Sequence, residues 1–253
     1  MNGNNHIIVQ HRDVEILRAV SVLRAIDRMQ AMKIGGFGSV CRVNATMLRL
    51  VRAGLLNRFF LGVGVGSKKA IYTLSQKGAA VAGVPHRRFR RKQDALYSGD
   101  LFLEHQLLLN DIYLSLHKNG NSVSIQNWKT FESTLPSSSV IPDAYFEFKT
   151  ADAIKPVFLE VDKSTESKKI WKKKAASYLS FALSGSFEKH FGHAQFRVAV
   201  VTTGQVQLKR IWAAVSEQTS KVFWLTTFDD IKRLGFLSAI WLRPKEQGKV
   251  SFF

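Results

Sequence analysis

The feature that most restricts this chain is where its positive charge lies. Residues 1–98 hold 17 Lys and Arg against 4 Asp and Glu, a formal +13, whereas residues 99–253 hold 20 against 15. Self-repulsion at the overall +18 is normally relieved by an anionic partner, and nucleic acid is the commonest one. An asymmetry of this kind points to one domain that docks on phosphates and another with a different task. The length agrees, since 253 residues at about 150 per domain suggest two. With 45% hydrophobic and 22% charged residues, wholesale disorder is excluded. A single cysteine, Cys41, excludes an internal disulfide framework and a structural zinc site. The longest strongly apolar stretch, Ala175 to Phe187, is 13 residues broken by serines, too short to span a bilayer. The polar start, Met1 to His6, lacks the pattern of a signal peptide. The expectation is a cytoplasmic protein with no membrane partner.

In the basic half, Asp13 is positioned to cap a helix carrying Val14, Leu17, Val20 and Leu23. Gly35, Gly36 and Gly38 break the chain after a short second element. Asn44 then caps a helix with Met47, Leu48, Leu50 and Val51, which stops at Gly54 and exposes Arg49 and Arg52. A strand-like run, Leu55 to Phe60, leads to a flexible tip of Gly62, Gly64, Gly66 and Ser67, then Lys68, Lys69 and a second strand, Ala70 to Leu74. A nucleotide loop is the wrong reading of these glycines, because a strand rather than a helix follows them.

Helix, helix, helix and glycine-tipped hairpin make a winged helix-turn-helix, and the run from Leu48 through Gly78 closely resembles the recognition helix and wing of that family. A helix enters the major groove while the hairpin's cations contact the flanking backbone. Arg42, Asn44, Arg49, Arg52, Arg58, Lys68 and Lys69 are the expected DNA contacts, set against the use of winged helices as protein-interaction modules. His86 to Lys92 contains Arg87, Arg88, Arg90 and Arg91 and is read as a basic linker over 86–95, between a domain of residues 1–85 and one of residues 96–253. It is either a solvated linker or a phosphate track.

The second half reads as an αβ domain: a helix near Asp100 to Lys118, strands over Ser122–Glu132, Ile141–Phe148 and Pro156–Asp162, a basic helix over Glu166–Ser184, a buried strand over Phe196–Thr203, a helix over Gln205–Gln218 and a strand over Val222–Thr226. Asp143 heads the second strand and Glu160 lies near the end of the third. In a chain poor in acids, two on neighbouring strand ends are candidates to hold a hard divalent cation, although a surface hairpin can carry acids by chance. Period-two alternation puts Glu160 and Asp162 on one face of the strand and Lys163 on the other.

This order, with Pro142-Asp143 and then Glu160-Val161-Asp162-Lys163, resembles the PD-(D/E)xK nuclease fold. The resemblance implies Mg²⁺ or Mn²⁺ held by Asp143 and Glu160, with Glu104 on the preceding helix as a further ligand and a lysine beside the scissile phosphate. The lysine's usual place is held by Asp162, which is either a third ligand or the mark of a degenerate site. Lys163, or Lys168, Lys169 or Lys172 from the next helix, is the candidate replacement. Lys168 and Lys169 also read as phosphate contacts, against a merely solvated helix face. The whole chain resembles the replication-relaxation family and the MobC-type conjugative relaxases through His105, Asn110 to Tyr113, Ile141 to Ala144, Phe158 to Glu166 and Phe196 to Thr203. That implies a relaxase or nicking endonuclease on plasmid-origin-like DNA, single-stranded or supercoiled, with accessory mobilisation proteins. The competing readings are a non-catalytic regulator and a repair or defence nuclease. Tyr178 reads as a core or groove tyrosine rather than a nucleophile, and His190 with His193 lacks further metal ligands.

Overall fold

The computed structural model describes residues 8–62, 68–87, 95–117, 123–163 and 165–253, and its contacts divide the chain into two units, Met1–Leu114 and Ser115–Phe253. In the N-terminal unit the order is α1 (His11–Leu23), β1 (Ala25–Asp27), α2 (Arg28–Ile34), α3 (Val40–Arg52), β2 (Leu56–Gly62), β3 (Lys68–Leu74) and α4 (Gln76–Ala82). β3 lies between β1 and β2 and is antiparallel to both. Three helices thus precede the long antiparallel hairpin of this sheet, in the order the sequence predicts. Its core joins Ile16, Leu17 and Val20 of α1 to Val43, Met47 and Leu50 of α3, with Leu56 and Tyr72 from the sheet.

Two helix starts differ from the sequence expectation. α1 begins two residues before Asp13, which sits in the first turn and accepts from the Gln10 amide at 2.9 Å. α3 is capped by Ser39, whose hydroxyl accepts from the Arg42 amide, so Asn44 is inside the helix. In α3 two residues able to cap stand five positions apart, in α1 Asp13 bonds back to the residue before the helix from within its first turn, and the hydrophobic register decides where each helix starts. β1 and α4 are not apparent in the sequence pattern, the first because it has three residues and the second because glycine and alanines hide its amphipathicity. Gly64, Gly66, Ser67, Arg88, Arg90 and Arg91 lie outside the described residues.

The long helix α5 (Ala95–Leu116) contributes Leu103 and Leu107 to a cluster with Ala25, Leu61 and Ile71. Gln30 donates to the Leu107 carbonyl at 2.8 Å and Asn110 to the Ala25 carbonyl at 2.6 Å. Up to Leu114 this helix is therefore part of the N-terminal unit, whereas the sequence pattern alone assigns it to the second domain.

The C-terminal unit continues with β4 (Ser124–Thr130), β5 (Ala144–Lys149), β6 (Ile154–Asp162), α6 (Lys168–Leu183), α7 (Ser186–Phe191), β7 (Arg197–Thr202), α8 (Gln205–Ser216), β8 (Phe223–Thr227) and α9 (Phe228–Leu234). Its sheet has the order β4-β5-β6-β7-β8; the first three strands form an antiparallel meander, and β6, β7 and β8 are parallel. Parallel strands need crossovers, and α6 with α7 and then α8 supply them. The strands from β5 onward are mostly buried because both faces of the sheet are covered. One face packs Tyr145, Phe158, Val198 and Val200 under Trp171, Tyr178 and Phe181 of α6 and Ile211 of α8. On the other, Phe146, Phe148, Phe236, Trp241 and Phe252 make an edge-to-face aromatic cluster. The chain is thus a mixed α and β protein with the expected α-β-β-β-α-β core.

Ser75 caps α4 and ties its first turn to the chain just before β2, accepting from the Gly78 amide and donating to the Leu55 carbonyl. A Cβ on Gly78 would meet that carbonyl oxygen well inside van der Waals contact. We expect Gly78→Ala to cost the N-terminal unit about 2–3 kcal/mol, read as a lower urea midpoint. A midpoint equal to that of the wild type would show that α4 can withdraw from Leu55.

Candidate active site and DNA-facing surface

Asp143 stands just before β5, where its amide donates at 3.1 Å to the carbonyl of Leu159, the β6 residue paired with Ala144. Its carboxylate turns across to β6 and accepts from the Val161 amide at 2.6 Å, next to Glu160. Pro142, immediately before it, is buried. The two acids selected from the sequence are thus brought together by the end of one ladder.

Glu160 is 1% exposed. Lys174 Nζ donates to its Oε2 at 2.8 Å and Tyr178 Oη to its Oε1 at 2.6 Å. Lys174 also pairs with Glu166 at 2.8 Å and lies over the Trp171 ring at 4.9 Å. Trp171, Lys174 and Tyr178 reach one place because positions i, i+3 and i+7 share a helix face. The other candidate lysines on α6 are out of phase: Lys168 pairs with Glu217 at 2.6 Å, Lys172 pairs with the same carboxylate, and Lys169 is exposed. Lys163 follows the end of β6 and is half-buried. Lys174, not one of the four candidates, is the lysine at Glu160. Its place between Trp171 and Tyr178 in the helical repeat is the signal that could have singled it out.

Asp162 is equally buried but differently used. Its Oδ2 accepts from Trp171 Nε1 at 3.0 Å and Gln207 Nε2 at 2.6 Å, and its Oδ1 from the Thr165 amide at 3.0 Å. It fastens β6 to the starts of α6 and α8, with protein donors on both of its oxygens as on those of Glu160. Glu104 is carried by α5 in the N-terminal unit, and Asp143 and Glu160 belong to the C-terminal unit. His190 is turned to the Ser186 carbonyl at 2.8 Å and His193 to Glu147 at 3.3 Å, so the two do not form a metal pair.

The charges are unevenly secure. Burial pushes the Glu160 carboxyl up to about 7, with Lys174 pulling it down and Asp143 pushing it further up. Burial opposes the Lys174 ammonium, but Glu160 and Glu166 outweigh it and hold the cation above its usual range. Burial and the Glu160 charge raise Tyr178 well above an ordinary phenol, so its hydroxyl stays a donor and is no ready nucleophile. Among the described residues no three His, Cys, Asp or Glu side chains are grouped to hold a metal ion. Asp143 and Glu160 still fit Mg²⁺ or Mn²⁺: Mg²⁺ commonly takes one or two carboxylates, keeps several waters and completes its shell with substrate phosphate. The repulsion of Glu160 by Asp143 is what such a cation would relieve.

On the N-terminal unit, Arg42, Ala45, Arg49 and Arg52 share a stripe of α3, where Arg42 and Arg52 are exposed and Asn44 is half-buried. Arg49 instead turns onto the buried Asp13 carboxylate, with contacts of 2.6 and 2.7 Å. In the hairpin Arg58 is exposed and stacks on Phe60 at 5.2 Å, and Lys68 is exposed. Lys69 pairs with Asp27 at 3.2 Å, and Arg87 is exposed beyond α4. No helix among the described residues is long and apolar enough to cross a membrane.

The model of the replication-relaxation family matches residues 17–195, which spans both units and the carboxylate site. No curated protein matches the chain. Among solved structures it is similar to restriction endonuclease FokI bound to DNA, at 11% identity and a TM-score of 0.35 over 88% of this chain and 44% of that one. A second FokI structure gives 9% and 0.32, over 85% and 41%. The chain therefore spans less than half the length of the FokI chains it matches.

Two outcomes follow from the paired charges. Arg49→Ala leaves Asp13 buried without its partner and should cost about 3 kcal/mol in urea denaturation; a loss of DNA affinity with unchanged stability would instead make Arg49 a DNA contact. For Glu160 the folded value lies above the unfolded one, so the unfolded state ionises first as pH rises. Stability relative to Glu160→Gln should therefore fall from about pH 4.5 to about pH 7, in EDTA, and stay level above; a difference flat across that window would refute the assignment.

Proposed function

The chain belongs to the replication-relaxation family, and from that premise we propose that it is a DNA-binding nicking endonuclease, a relaxase acting at a plasmid or mobile-element origin by metal-dependent phosphodiester cleavage. The observation that carries the reading is Lys174 at 2.8 Å from Glu160. The strand lacks a lysine in the register the nuclease pattern expects, and the following helix supplies one to the same carboxylate.

In this reading Asp143 and Glu160 hold Mg²⁺ or Mn²⁺. When bound, the cation polarises the scissile phosphate and lowers the pKa of an attacking water. Lys174 provides the positive charge that the developing phosphorane needs, fixed in place beforehand by two carboxylates and the Trp171 ring. Tyr178 orients Glu160, and Asp162 holds β6 against α6 and α8 so that the carboxylate and the lysine keep their spacing. Cleavage by water leaves no covalent link to the protein. The basic winged helix selects the origin region through Arg42, Arg52, Arg58 and Lys68, with accessory mobilisation proteins as further partners.

A second reading, a DNA-binding regulator with an inert nuclease fold, is favoured by one observation: Glu160 is 1% exposed with both oxygens already engaged. The two part in a single assay. Supercoiled plasmids carrying candidate origins are incubated with the protein in Mg²⁺, Mn²⁺ or EDTA, alongside Asp143→Asn, Glu160→Gln and Lys174→Met. The nicking reading expects metal-dependent conversion to open circle, reduced at least 100-fold in each variant while DNA binding persists. Tight origin binding without open circle in any metal favours the regulator. Cleavage that ignores the origin favours a repair or defence nuclease.

A further inference from the structure

The parallel strands β6, β7 and β8 present two different ends. Glu160 and Asp162 lie at the C-terminal end of β6. At the opposite end, five residues back along β6 and therefore about 16 Å away, an open pocket of about 580 Å³ is lined by Lys155, Arg197, Lys221 and Arg243 around Trp224. Pro156, Ala182 and Val222 give it an apolar floor. The Arg197 and Arg243 guanidiniums lie 4.6 and 4.9 Å from the Trp224 ring, and Lys155 Nζ lies 4.1 Å from the Phe253 ring.

Three of these four cations are not matched by acids. Arg243 pairs with Glu246 at 2.7 Å, but among the described residues no carboxylate lies within ion-pair distance of Lys155, Arg197 or Lys221. Burial lowers the Arg197 pKa and the neighbouring Arg243 lowers it further; Lys155 is depressed by burial and then by Arg197. Like charges crowded into one pocket weaken one another, and an anion entering it relieves them all. Nη1 of each guanidinium is engaged, by the Phe252 carbonyl and by Glu246, and the planar groups held on the indole keep their other donors in fixed directions suited to phosphate. The apolar floor asks for more than a bare ion, and the volume suits a group of nucleotide size.

We propose that this pocket is a binding site for a nucleoside 5′-phosphate unit, free or within a DNA strand, with the phosphate on Lys155, Arg197 and Lys221 and the base against the floor beside Trp224. It is distinct from the carboxylate site and does not depend on that site cutting DNA.

The test is calorimetric titration with 5′-phosphorylated trithymidylate at about 0.1 M salt. Lys155→Glu/Lys221→Glu is compared with Lys209→Glu/Arg210→Glu, which changes the net charge equally on the exposed side of α8. The first pair should weaken binding at least tenfold and the second less than twofold, with unchanged thermal unfolding in both. Arg197→Lys, which keeps the charge but loses the planar fork, should weaken it about threefold or more. Thymidine 5′-monophosphate should compete; if it competes as well as the trinucleotide the occupant is a free nucleotide, and if less well, a strand. Equal effects of the two charge-reversed pairs would reduce the pocket to general electrostatics, and competition by inorganic phosphate as strong as that of the mononucleotide would overturn the nucleotide assignment. A chain that nicks no plasmid yet passes this test retains the site, so the two readings fail separately.

Discussion

A carboxylate with 1% of its surface in contact with solvent cannot stay charged alone, and the C-terminal unit is arranged around the answer to that problem at Glu160. Lys174 and Tyr178 both come from α6, so the ion pair and hydrogen bond that satisfy the strand also dock the helix on it. Asp162, two residues on, repeats the arrangement with neutral donors from Trp171 and Gln207 and brings α8 into the same connection. The two acids together fix the crossover from β6 to β7, and with it the parallel half of the sheet. Asp143 reaches the pair because it stands one residue before β5, where its amide already bonds to β6.

Much of this was legible in the sequence, for identifiable reasons. The order of strands and helices from α5 to β8, the six-residue α7 excepted, follows from periodicities of two and 3.6 in segments long enough to show them. Asp143 and Glu160 stood out because acids are scarce in so basic a chain, and alternation put Glu160 and Asp162 on one face, as found. Which lysine serves Glu160 was not legible from the strand, because the answer depends on the rotation of α6 about its axis. Five lysines in seven residues look equivalent until Trp171 and Tyr178 define the buried stripe. Asn44 and Asp13 were misread as helix starts because a capping side chain is a local preference and the start of a helix is decided by its packing.

Arg49 illustrates a related limit in the N-terminal unit. Its position on α3 matches Arg42 and Arg52 in the helical repeat, and only the tertiary position of Asp13 separates it from them. Helical phase identifies the face a residue occupies; it does not reveal a buried acid from a distant helix within reach. The exposed cations that remain on α3 are therefore fewer than its composition suggests, and the exposed Arg58 and Lys68 of the hairpin gain weight accordingly.

Carrying the lysine on the helix also changes what kind of motion can dismantle the site. A carboxylate and a lysine on one strand keep their separation through any movement that leaves the sheet intact. Here the separation is set between two elements, so fraying or sliding of α6 by a single turn would draw Lys174 away from Glu160 while the strands stayed paired. The opening of one helix, which amide hydrogen exchange reads segment by segment, is thus the same event as the loss of the constellation.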